Sequence, residues 1–121
     1  MTDTATKLNI ELCSLGNEDC LKFTFTENFS ESQAIEAVNE WKHLFESSKG
    51  EKTRLVWDCS NMSAYEGKAL KIWQQAMKDM KDQIDTVWLI TDSALIKTGA
   101  KLISVFSKFT IKVVKTADEI K

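Results

Sequence analysis

The residues best equipped for chemistry lie in "LVWDCSNMSAYEG", residues 55–67, where Asp58, Cys59, Ser60, Ser63 and Glu66 follow an apolar run and precede a helical pattern. Cysteine catalysis requires a thiolate, sustained by a helix N-terminus or by a base within hydrogen-bond reach. The sole histidine, His43, falls on the stripe Glu36, Glu40, His43 and Ser47, opposite the apolar face of the first helix, and reads as a solvated surface group. Cys59 then reads as a small buried strand residue, and no enzymatic activity is expected. Carboxylates alone remain for a metal, and neither an H-x-x-x-H pair nor an Asp-rich loop of calcium type occurs. Neither glycine-rich phosphate motif is present, so no cofactor is expected. Free amides at a helix start over 63–66 would suit an anion, but self-capping by Ser63 and Glu66 is the plainer account.

The elements that must position this stretch follow from periodicity. "LNIELC" alternates Leu8, Ile10 and Leu12, and "CLKFTFT" alternates Leu21, Phe23 and Phe25, with Gly-Asn-Glu-Asp between them, a hairpin pattern. Ser30 and Gln33 form a capping box ahead of Ala34, Val38, Trp41 and Phe45, a helix that Gly50 ends. "TRLVWDC" is a short apolar run without helical period, hence a buried strand. Ser63 and Glu66 resemble a second capping box, before a helix with Ala69, Leu70, Trp73, Ala76, Met77 and Met80 on one face. "IDTVWLIT" is another buried strand. Asp92 or Ser93 caps a third helix with the stripe Leu95 or Ile96, Gly99, Leu102, Ile103 and Phe106, and "TIKVVK" is the last strand; Thr116 and Glu119 suggest one terminal turn. The order is β-β-α-β-α-β-α-β, an α/β fold with one mixed, mostly parallel five-stranded sheet and three main helices. One sheet face should be less covered than the other.

The totals agree with a single domain over residues 8–121, preceded by a flexible segment over 1–7: 121 residues, 43% hydrophobic, no proline and four glycines. No apolar run reaches bilayer length and no secretory pattern opens the chain, so a cytoplasmic location is expected, with Cys13 and Cys20 reduced although they flank the hairpin turn. The net charge of −2 and a single arginine, Arg54, argue against nucleic acid. The charge is nevertheless uneven, with 12 acids and 6 bases over residues 1–66 against 2 acids and 6 lysines over 94–121.

Over residues 54–121 the chain resembles the STAS domain of anti-sigma-factor antagonists and sulphate-transporter tails, and is closest to its divergent stand-alone bacterial group. "LVWDCSN" matches the strand end, with Asp58 and Ser60 in place and Asn61 where glycine is usual. "VWLITDSALIKTGAKLISVFSKFTIKVVKTADEI" matches the later strand, helix, strand and tail. Where the regulated family has Asp-Ser-Ser-Gly, Tyr65, Glu66, Gly67 and Lys68 stand here, followed by Ala69, so the phosphorylatable serine is missing. The resemblance implies a non-enzymatic interaction or regulatory module that meets a protein partner, anti-sigma-factor-like or another regulator, through Asp58, Ser60, Asn61, Ser63, Tyr65, Glu66, Gly67 and Lys68.

An alternative remains open: a carrier or sensor of a lipid or other small apolar ligand, using the open sheet face. Trp41 and Trp73 fall in helical stripes and read as core. Trp57 and Trp88 lie in strands and, on a less covered face, would mark a ligand groove or a homodimer interface. Lys97, Lys101 and Lys108 lie opposite the apolar stripe of the third helix, where an acidic partner or an anionic membrane could meet them; a solvated face is the plainer reading, and membrane contact is not expected.

Overall fold

The computed structural model describes residues 8–15, 18–48, 52–107 and 111–120. The expected flexible segment over 1–7, the helix stop at Gly50 and the third lysine, Lys108, lie outside them. β1 (Asn9–Leu15) and β2 (Glu18–Thr24) form the expected antiparallel hairpin, with Ile10 opposite Phe23 and Cys13 opposite Cys20. That register sets the two cysteine backbones side by side, a separation that a disulfide can span. Cys20 is disulfide-bonded, which corrects the expectation of a reduced pair.

β4 (Thr53–Asp58), β6 (Ile84–Ile90) and β7 (Ile111–Val114) add to β2 in parallel, giving one five-stranded sheet in the order β1-β2-β4-β6-β7. α1 (Glu31–Ser48), α2 (Gly67–Asp79) and α3 (Ala94–Ser107) make the crossovers. The order advances in one direction after β2, and right-handed crossovers then deliver every helix to the same face. Residues of all three helices share one core with the alternate positions Leu21, Phe23, Leu55, Trp57, Val87 and Leu89. Cys20, Val56 and Ile90 point the other way, where Trp88, Val114 and Ile120 pack against them and, among the described residues, none of the three main helices does. The expectation of unequal faces is realised fully.

Trp73 on α2 is the centre of the helix-covered core. Its ring meets Phe23, Phe25, Phe29 and Trp57 edge-on at centroid distances of 5.6, 5.6, 5.3 and 6.1 Å, and Trp41 of α1 tilts against it at 5.1 Å. Such edge-to-face pairs favour the ring quadrupoles. Three positions offered as core are open instead: Leu12 is 73% exposed on the edge strand β1, and Leu95 and Leu102 are exposed on α3, where Ile96, Gly99, Ala100 and Ile103 are buried and the side chain of Phe106 lies outside the described ones. The stripe of α3 thus resolves to Ile96 rather than Leu95.

Candidate functional site

The turn after β4 is built by Asp58. Its Oδ1 accepts hydrogen bonds from the Ser60 amide at 3.1 Å and the Ser60 hydroxyl at 2.6 Å, a local ring that reverses the chain. Lys22 reaches the other carboxylate oxygen only at 4.0 Å, a partly exposed contact that adds little. Cys59 extends the parallel ladder by donating its amide to the Ile90 carbonyl at 2.9 Å, and the Met62 amide donates to the Cys59 carbonyl at 3.0 Å. Cys59 and Met62 therefore point into the core while Ser60, Asn61 and Ser63 are exposed. Burial, followed by the charge of Asp58, pushes the Cys59 thiol far up, so it stays neutral and unsuited to nucleophilic attack.

The next residues are held by the loop after β2. The Ser63 and Ala64 amides donate to the Glu27 carbonyl at 2.8 and 3.2 Å, the Ser63 hydroxyl donates to the same oxygen at 3.2 Å, and the Glu66 amide donates to the Phe29 carbonyl at 2.9 Å. β3 (Asn28–Phe29) and β5 (Ala64–Tyr65) form a small parallel pair there, absent from the expected order. The extended backbone at 64–65 delays the helix to Gly67, and Ser63 is drawn to the neighbouring loop. The expected Ser63–Glu66 capping box on α2 does not form: Glu66 is the N-cap by backbone alone. Its carboxylate instead accepts the Glu31 amide at 2.8 Å, capping the first turn of α1 across the fold. The other two caps follow their sequence signals, with Ser30 Oγ accepting the Gln33 amide at 3.2 Å and Ser93 Oγ accepting the Ile96 amide at 3.4 Å. Ser93, and not Asp92, is thus the cap of α3. The Gln33 side-chain oxygen accepts the Thr26 hydroxyl at 3.1 Å, which ties the loop after β2 to the first turn of α1.

Tyr65 is half-buried, with its ring over Gly99 of α3. A Cβ at Gly99 would stand 3.0 Å from both Cζ and Oη of Tyr65, so only glycine admits the ring. Beneath it, between α2, α3 and the ends of β4 and β6, lies a cavity of about 40 Å³ with an apolar lining that includes Trp57, Trp73, Met62 and Ile103. Trp57 is therefore on the helix-covered face, while Trp88 lies on the uncovered one with Lys112 Nζ 5.0 Å above its ring. Of the named turn residues, Ser60, Asn61, Ser63, Glu66, Gly67 and Lys68 are exposed and Asp58 and Tyr65 are half-buried, with Asp58, Tyr65 and Glu66 in bracing roles. Sequence reasoning missed the bracing loop at Glu27 to Phe29 and the notch at Gly99. An isolated glycine inside a helical pattern was the available signal for the notch. His43 is exposed, and among the described residues no cluster of three metal-ligating side chains occurs. Among them, too, no helix is long and apolar enough to cross a membrane.

This arrangement, one mixed sheet with all helices on one face and a bonded Asp-x-Ser turn at the end of its central strand, is a SpoIIAA-like, that is STAS-like, fold. The crystal structure of an uncharacterized protein from the DUF3478 family with a SpoIIAA-like fold, from Shewanella loihica PV-4, superimposes with a TM-score of 0.78 over 98% of this chain and 94% of that one. At 10% identity, the likeness is one of fold. No protein-family model matches the chain, and no curated protein matches its sequence.

Proposed function

We propose that the protein is a non-enzymatic interaction module that binds a regulatory protein, anti-sigma-factor-like or another regulator, through the rim after β4. The observation that carries this reading is the division of labour within one turn. Cys59 and Met62 are buried, the exposed Ser60, Ser63 and Glu66 are held by hydrogen bonds to Asp58, the Glu27 carbonyl and the Glu31 amide, and the exposed Asn61 and Lys68 stand beside them on that braced scaffold. A preorganised polar rim forfeits little ordering entropy on binding. The test replaces Asn61→Ala, Ser63→Ala and Lys68→Glu together and compares pull-downs from the native cell extract. A specific partner should be lost while circular dichroism is unchanged; equal recovery by wild type and variant would sink the reading.

The apolar cavity beneath Tyr65 favours a second reading, a small apolar ligand. At about 40 Å³ the cavity admits little more than a water-sized group, so a ligand must first displace the Tyr65 ring from Gly99. Trp57 and Trp73 line it and would report entry by fluorescence. Titration with fatty acids, alongside native mass spectrometry of freshly purified protein, tests this; an unchanged emission and a ligand-free mass would dismiss it. Trp88, on the face without helices, is the place for a homodimer contact, which sedimentation of Trp88→Ala against wild type would detect.

A further inference from the structure

We infer that the edge formed by α3 and β7 is a second interaction surface, which takes an extended acidic segment of another protein as an added strand. β7 ends the sheet, paired only with β6 among the described residues, so its outer backbone edge is open to another strand. Beside it a groove of about 320 Å³ runs between β7 and α3, floored by Ala100, Ile111 and Val113 and walled by Lys97, Thr98 and Lys101. Val113 faces the helix side, in register with Leu89, yet is 43% exposed where Leu89 is 1% exposed. A core-facing valine is thus left uncovered by the helix above it.

The lysines identify the occupant. Neither Lys97 nor Lys101 is ion-paired among the described residues, and both stand one helical turn apart on the same wall. Four residues of helix advance about 6 Å, and two residues of strand about 6.6 Å, so acids at alternate strand positions match the two ammonium groups. Parallel to them, the unpaired strand edge offers backbone donors and acceptors that only another backbone satisfies in series. A membrane fits this less well. The exposed Leu95 and Leu102 fall, by helical spacing, on the flank of α3 away from the lysines, so the basic groups face the groove rather than rim an apolar stripe. Lys112, on the reverse face of β7 over Trp88, adds positive charge along the same edge.

The probe is a fluorescein-labelled peptide, Thr-Glu-Val-Glu-Thr-Glu-Val-Glu, followed by anisotropy at low salt. Wild-type protein should bind it, and the Lys97→Glu, Lys101→Glu double variant should bind about tenfold more weakly, while preferring the same peptide with lysine for glutamate. The Lys97→Gln, Lys101→Gln variant, checked by circular dichroism, should fall between the two. Amide resonances of residues 111–114 should shift on binding while those of 59–68 stay in place, and a central proline in the peptide should abolish the effect. Absence of binding by the wild type, equal binding by the reversed variant, or shifts confined to 59–68 overturns the inference. So does retention on phosphatidylserine vesicles, through these lysines, by a protein that ignores the peptide.

Discussion

The helix-covered face of the sheet is finished differently at its two ends. Around α1 and α2, large rings interlock: Phe23, Trp41, Trp57 and Trp73 are each 2% exposed or less and meet mostly edge-on. Under α3 the aliphatic Ile96 and Ile103 alternate with the small Gly99 and Ala100, leaving a notch for Tyr65, an apolar cavity behind it and an open groove against β7. Stability of a domain this size rests on a margin of roughly 5–15 kcal/mol, to which a few fully buried rings contribute a large share. The difference teaches that the α1–α2 half holds the fold while the α3 half leaves room for approach by other molecules.

The largest expected effect tests the first half of that statement. Trp73→Ala removes the ring that five aromatic neighbours share and should destabilise the domain by about 3–5 kcal/mol, read from urea unfolding followed by circular dichroism. A loss below about 1 kcal/mol would mean that the core is as yielding there as under α3, and the comparison would fail. Gly99→Ala probes the second half. Alanine favours the helix by about 1 kcal/mol, but its Cβ would stand 3.0 Å from the Tyr65 ring, an overpacking that costs about 1–3 kcal/mol. A net loss of about 1 kcal/mol is expected, and Tyr65→Ala in the same chain should abolish it. Additive effects of the two substitutions would show that the ring does not rest in the notch.

Most of the fold was legible in the sequence because periodicity reports burial directly. The alternation in β1 and β2, the four-residue recurrence through Trp41 and Trp73, and the advance from strand to helix to strand each encode one face of one element. The missing pieces are those that no local pattern specifies. The two-residue pair β3 and β5 is too short to alternate, and it is made by backbone bonds to Glu27 and Phe29, more than thirty residues from their partners. The exposure of Val113 depends on where α3 sits over β7, not on any property of "TIKVVK". Asp58 and Ser60 stood out in the sequence through their match to a STAS-like strand end and not through the local hydrogen bond between them, whereas Tyr65 and Glu66 act on α3 and α1 and so carry no sequence signature of those roles.

Glu66 separates local from tertiary logic in one substitution. A serine three residues before a glutamate ahead of an apolar run signals a box that closes on its own helix. Here the carboxylate crosses to the Glu31 amide, satisfying one of the four free N–H groups at the start of α1 and tying that helix to the residue that precedes α2. Glu66→Ala should therefore destabilise the protein by about 1 kcal/mol, the usual cost of a lost cap. Hydrogen exchange locates the loss: the Glu31 amide should lose protection, while Leu70, whose amide donates to the Glu66 backbone carbonyl at 3.1 Å, keeps its own. Amides of β7 should not respond, since the cap belongs to the tightly packed half. Lost protection at Leu70 with Glu31 unchanged would return the glutamate to its own helix, and a response at β7 would show that the two halves of the domain are not energetically separate.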